Sequence, residues 1–164
     1  MADDRLDHRA RPSACGGRAQ GQRGADAQGL GRSRGGLSTK IHAATEALGL
    51  PIRLIGTPGQ RNDIAFAHDL IDGIEAEAAI ADKGYDADHL VDRIARVSAE
   101  AVIPPKRNRK APRTYDTYLY KERNRIERFF NKLKQFRRVA TRYDKLLANF
   151  MGFVKLAAIA IWLR

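Results

Sequence analysis

Leu37 to Ala43 alternates apolar and polar residues, as a half-buried strand does. Glu46 to Pro51 follows with turn residues, and Ile52 to Thr57 returns, so the pattern predicts a β-hairpin. Asn62 to Ile74 then changes to helical spacing through Ile64, Ala67, Leu70, Ile71 and Ile74, with Asn62 or Asp63 as the N-cap. Ala78 to Ala81 is a short apolar strand ended by Asp82. A helix follows through Leu90, Val91, Ile94 and Val97, and then a strand through Ala101 to Pro104. Pro104 to Arg113 is a proline-bounded Lys/Arg/Asn loop, too polar to pack. Beyond it the spacing predicts a long helix from about Tyr118 to Val139 and an apolar one from Lys145 to Leu163. The last helix carries Asn149 and Lys155, and its longest uninterrupted apolar run is Leu156 to Leu163. Crossing a bilayer takes roughly 20 apolar residues, so this is a buried helix and no membrane partner is expected. Hairpin, helix, strand, helix, strand and closing helices make an α/β layout.

The first 36 residues stand outside this pattern. Met1 to Gly36 is rich in Arg, Gly, Ala and Gln, has almost no β-branched or aromatic residues and shows no period, so it reads as disordered or out of place. Residues 37–164 form the globular part. The start of the chain is charged and is no secretory signal. The single cysteine, Cys15, excludes an internal disulfide framework, and the dispersed His8, His42, His68 and His89 exclude a zinc finger. A reducing, cytoplasmic setting follows.

Charge sharpens the picture once it is located. Residues 103–145 hold 15 basic and four acidic residues, which accounts for the entire net charge of +11. Residues 38–102 hold six basic and 11 acidic residues. Such polarity points one face at a polyanion, most often nucleic acid.

Two carboxylates are candidates for chemistry. On an α-helix from Tyr120, that residue, Arg123, Glu127 and Lys134 fall within about 60° of one another. Ile126, Phe129, Phe130, Leu133 and Phe136 make the adjacent apolar stripe, and Lys121, Arg125, Arg128 and Lys132 an outer basic one. Glu127 thus stands where core meets surface, among cations. Spacing alone equally allows a solvated helix with ordinary i,i+4 pairs. Asp82 lies just past a short apolar strand, where α/β folds place their sites, although it also suits a turn or N-cap. Two such carboxylates bind a divalent cation through oxygen.

Four segments together carry a family resemblance: Leu30 to His42, Thr57 to Gln60, Ala81 to Asp88, and Tyr120 to Phe130. Over about Gly24 to Arg164 the sequence resembles bacterial insertion-sequence DDE transposases. The most specific element is Tyr, two residues, Arg, three residues, Glu, six residues, Lys, which Tyr120, Arg123, Glu127 and Lys134 match in full. The resemblance implies an RNase H-like mixed sheet with flanking helices, with Asp82 and Glu127 as the second and third catalytic acids and ligands of Mg²⁺ (or Mn²⁺). It implies Arg123 and Lys134 on DNA phosphate near the cut and Tyr120 positioning the terminal nucleotide. Lys106, Arg107, Arg109, Lys110, Arg125 and Arg128 supply further basic contacts. The implied partner is double-stranded DNA, at element ends and target, in a nucleoid-associated setting; a homodimer is compatible with it.

One departure matters. The family's first catalytic Asp stands on a first strand reading Ile-Asp-Ser-Thr-x-Val-Arg-Ala-His. No such segment exists here, and Asp3 to Ala10 takes its place. The DNA GACGATCGACTCGACCATCGTGCGC encodes that octapeptide, and shifted by one base it encodes Thr-Ile-Asp-Ser-Thr-Ile-Val-Arg. We therefore read the start of the chain as an out-of-frame translation of that strand. The expectation is a truncated catalytic domain lacking its first strand, which keeps DNA affinity but has little or no strand transfer. Asp63 is acidic and near a strand end, but is not assigned as the missing ligand. The alternative is a non-catalytic DNA-binding remnant or competitor of the full transposase. An unrelated RNA- or DNA-binding module would need an aromatic platform or helix-turn-helix signature, and neither is present.

Overall fold

The computed structural model describes Ala2–Leu6, residues 27–33 and residues 36–164. Its centre is the predicted hairpin. Strand β3 (Gly36–Thr45) pairs antiparallel with β4 (Pro51–Pro58), Ile41 opposite Gly56 and Ala43 opposite Leu54. Gly49, at φ +85°, makes the turn that glycine favours. A short strand β2 (Gly31–Ser33) pairs with the start of β3.

The expectation of a missing first strand is corrected. Ala2–Leu6 forms a strand, β1, antiparallel to β3, with Asp3 opposite His42 and Arg5 opposite Lys40. Because β1 and β4 both pair with residues 39–43, they occupy opposite edges of β3. The physical reason is that ladder pairing uses main-chain groups, so an extended segment without proline fills a free edge whatever its side chains. The rest of the expectation for residues 1–36 falls largely on residues outside those described.

A second sheet is parallel. β5 (Ala78–Ile80) pairs with β6 (Glu100–Val102), and the crossover between them is helix α2 (Asp88–Arg96). Before β5, the predicted helix from Asn62 splits into a 3₁₀ turn, Asp63–Phe66, and a short helix α1 (Ala67–Ile71). Asn62 makes no side-chain cap, and the Asp63 carboxylate is engaged by Lys40 instead.

The long helix predicted over Tyr118 to Val139 is three pieces: a 3₁₀ turn at Leu119–Arg123, helix α3 (Asn124–Lys134) and helix α4 (Arg137–Ala140). Phe136 is extended, with ψ 110°, and forms the break. In an unbroken helix Val139 would fall about 120° from the stripe of Ile126, Phe129, Phe130 and Leu133. The break returns it to the core, where it is 1% exposed. Helix α5 (Leu147–Trp162) closes the fold, within the predicted span.

Two cores lie on opposite faces of β3. Ile41 and Ala43 pack with α3, α4 and α5 through Phe129, Leu133, Phe150 and Val154. Ala44 packs on the other side with Leu70, Tyr85, Leu90 and Ile94. Burial of both faces explains why β3 is interior almost throughout. Gly56 lets α5 approach β4, since a Cβ there would meet the Met151 sulfur at 2.6 Å.

Candidate active site

Asp82 follows β5 and caps the 3₁₀ turn Lys83–Tyr85, its Oδ1 accepting the Lys83 N–H at 2.7 Å. Ala81, immediately before it, is fully buried and bonds β6 through Val102, so the strand end is fixed. The capping role and the placement at the strand end, alternatives in sequence, are both met here.

Glu127 lies in the first turn of α3. The side chain joining it to Asp82 is Arg123. Its Nη1 donates to Glu127 Oε1 at 2.7 Å, and its Nη2 lies 3.6 Å from Asp82 Oδ2. Two acids far apart in sequence therefore converge on one guanidinium. The 3₁₀ turn rather than α-helix over Leu119–Arg123 shifts the predicted phase of Tyr120, but the i,i+4 relation of Arg123 to Glu127 survives.

Tyr120 belongs to the same neighbourhood. Burial pushes its hydroxyl pKa up; Arg123 opposes this, and Asp82, Tyr115 and Glu127 add to it. Its ring meets Tyr115 edge-on at 5.5 Å. The hydroxyl thus stays protonated, a donor beside two carboxylates.

Among the described residues no group of three or more His, Cys, Asp or Glu side chains is arranged to hold a metal ion. Asp82 and Glu127 remain a hard-oxygen pair, partly exposed, already gathered around one cation. Asp63 comes close, its Oδ2 being 3.5 Å from where a Cβ on Gly84 would stand. Its other oxygen is held by buried Lys40 at 2.6 Å, with His42 Nδ1 at 3.8 Å. Desolvation lowers the His42 pKa to about 4, against the pull of Asp63 and with help from Lys40.

The basic residues divide into two groups. Arg107, Lys110, Arg128 and Lys134 are exposed, Lys134 in the last turn of α3. Arg125 pairs with Glu122. Lys106 donates to the Asp86 carbonyl and Arg109 pairs with the Asp86 carboxylate, so the loop expected to be too polar to pack is tied down by a hydrogen bond and an ion pair. Sequence reasoning also missed Arg142. It is 6% exposed and donates to Thr39 Oγ1 and to the carbonyls of Gln28 and Asp144. Burial lowers its pKa, which Asp144 opposes. No spacing rule separates such a peg from a surface arginine. His68 and His89, dispersed in sequence, stack with ring nitrogens 2.7 Å apart.

A cavity of about 620 Å³ is lined by Arg123 together with Thr45, Ile52, Ile80 and Leu119. Glu46, Glu75, Glu77 and Glu122 also line it, together with Arg125.

Among the described residues no helix is long and apolar enough to cross a membrane. No solved structure matches the chain. A putative transposase for insertion sequence element IS6501 from Brucella ovis is 48% identical over 130 residues, covering 78% of this chain and 100% of that protein. Residues 8–163 match the transposase DDE domain family, a span that holds Asp82, Arg123 and Glu127 together with both cores. The chain belongs to the DDE transposase family.

Proposed function

We propose that the chain is the catalytic domain of an insertion-sequence transposase with an RNase H-like fold, acting on the phosphodiester backbone of double-stranded DNA in the bacterial cytoplasm. The observation that carries this is the convergence of Asp82 and Glu127 on Arg123. The strand arrangement supports the fold reading, with β4, β3 and β1 antiparallel in that order and β5 and β6 parallel beside a crossover helix.

In this reading Asp82 and Glu127 would hold a magnesium or manganese ion. Held there, such an ion would supply Lewis-acid charge stabilisation for phosphodiester chemistry. Arg123 keeps the two carboxylates paired and offers its guanidinium to the same phosphate, and Tyr120 donates a hydrogen bond from a half-buried hydroxyl. Lys134, Arg107, Lys110 and Arg128 attract the duplex through its charge.

The third carboxylate limits the activity. Two converging acids, with Asp3 to Ala10 standing in the sequence in place of the family's segment, support the reading of a frameshifted copy that binds DNA and transfers strands weakly or not at all alone. A non-catalytic competitor of the full transposase is the second reading, favoured by the same two-acid set. Strand transfer by the full chain with Mg²⁺ or Mn²⁺ tests both: the expected result is DNA binding with negligible joining, and robust joining overturns the impairment. Activity regained on restoring the upstream frame selects the frameshifted transposase over the competitor.

A further inference from the structure

Asp86 and Asp88 hold two arginines in a way that the site above does not use. Asp86 is 2% exposed on its side chain. Its Oδ2 accepts the Lys106 backbone N–H at 2.8 Å, and its carbonyl accepts Lys106 Nζ at 3.0 Å. Its Oδ1 accepts Arg109 Nη1 at 2.8 Å and Arg113 Nη1 at 3.4 Å. The Nη2 groups of the same two arginines converge on a single oxygen, Asp88 Oδ1. Each guanidinium is thus divided between a buried carboxylate and one that is 75% exposed.

We propose that Arg109 and Arg113 form a phosphate-binding fork for the DNA backbone, with Asp86 its fixed anchor and Asp88 a resident stand-in that the phosphate displaces. Asp86 is the anchor because its departure would strand a buried charge and release the loop at Lys106. Asp88 is replaceable because water already solvates it, so its pairing is screened. A phosphodiester presents the same chemistry, oxygens of charge −1 that accept guanidinium N–H groups, and the planar fork of arginine suits it.

The location fits a backbone contact next to the cut. Asp82 and Asp86 are the N-cap and C-cap of one 3₁₀ turn, Lys83–Tyr85. The fork is therefore anchored one short turn beyond Asp82. The proposal rests on the DNA reading above and extends it to named contacts.

Removing either acid changes the net charge equally, yet the fork predicts opposite effects. In anisotropy titrations of labelled duplex DNA with the full chain, Asp88→Asn tightens binding about three- to tenfold and steepens the salt dependence by about one phosphate contact. Asp86→Asn weakens binding about tenfold despite losing the same charge, because the arginines lose their aim. To separate a lost fork from a lost fold, Asp88→Asn is repeated in an Arg109→Gln/Arg113→Gln background, where its gain disappears while the melting temperature of that background holds. Shifts of the same sign for Asp86→Asn and Asp88→Asn, or a gain that persists without both arginines, overturn the fork. If the unmodified chain binds no DNA, the DNA reading itself fails and inorganic phosphate becomes the probe. Greater thermal stabilisation of Asp88→Asn than of the unmodified chain, by phosphate over chloride at equal ionic strength, then supports the fork. An equal shift overturns it.

Discussion

Two clusters of charge lie close together here and are built in opposite ways. On β3, Lys40 and His42 are 2% and 0% exposed, and both point at Asp63; Lys40 also donates to the carbonyl of Arg61, and His42 pairs with Thr57 Oγ1 at 2.9 Å. At the candidate active site, Asp82, Arg123 and Glu127 are all partly exposed, and one of the two contacts is a loose 3.6 Å. The first cluster is buried and joined by the Lys40–Asp63 and His42–Thr57 bonds, with His42 Nδ1 left without a hydrogen bond. The second leaves carboxylate oxygens with room for further partners. Ion pairs closed off from water set stability, while those left open serve ligands.

The comparison breaks first at Asp63. Asp63→Ala takes the carboxylate from a buried ammonium and is expected to cost about 3–5 kcal/mol. Urea unfolding reads this, and a loss below about 1 kcal/mol would remove the distinction between the clusters. The next effect belongs to His42. Its folded pKa of about 4 lies below the ordinary 6.5, so the unfolded chain binds the extra proton between those values. This stability is present above pH about 6.5 and is lost as pH falls toward 4, with about 2 kcal/mol gone between pH 7 and 5. His42→Gln should flatten that slope, and an unchanged slope refutes the assignment to His42. Smallest is the effect of Asp82→Asn or Glu127→Gln on stability, at most about 1 kcal/mol in the same urea assay, because exposed pairs contribute little. A loss as large as that of Asp63→Ala would mean that the site is structural.

Much of this was legible along the chain, for identifiable reasons. The hairpin followed from strict alternation, and the stripe of Ile126, Phe129, Phe130 and Leu133 from helical spacing; both are local periods set by a single interface. Asp82 and Glu127 were each legible as candidates, but their meeting through Arg123 depends on how α3 packs, which no spacing within one segment encodes. The same limit hid Asp86, whose partners lie 20 to 27 residues away. Lys40 and His42 read as the outer face of a half-exposed strand, whereas the second core covers that face. Phe136 fitted the helical stripe and yet breaks the helix, because the demand of Val139 for the core outweighed local propensity. Strand β1 was unreadable for the opposite reason: its pairing is made by backbone, to which side-chain pattern is a poor guide.

Arg142 carries a consequence for how the molecule comes apart. Through one guanidinium it fastens the carbonyls of Gln28 and Gly29 to Thr39 on β3 and to the approach to α5 at Asp144 and Lys145. Segments more than 100 residues apart along the chain therefore share a single rivet. Opening β2 alone would leave those donors unmet in the interior, so amide protons of β2 and of the first turns of α5 should exchange as one cooperative unit.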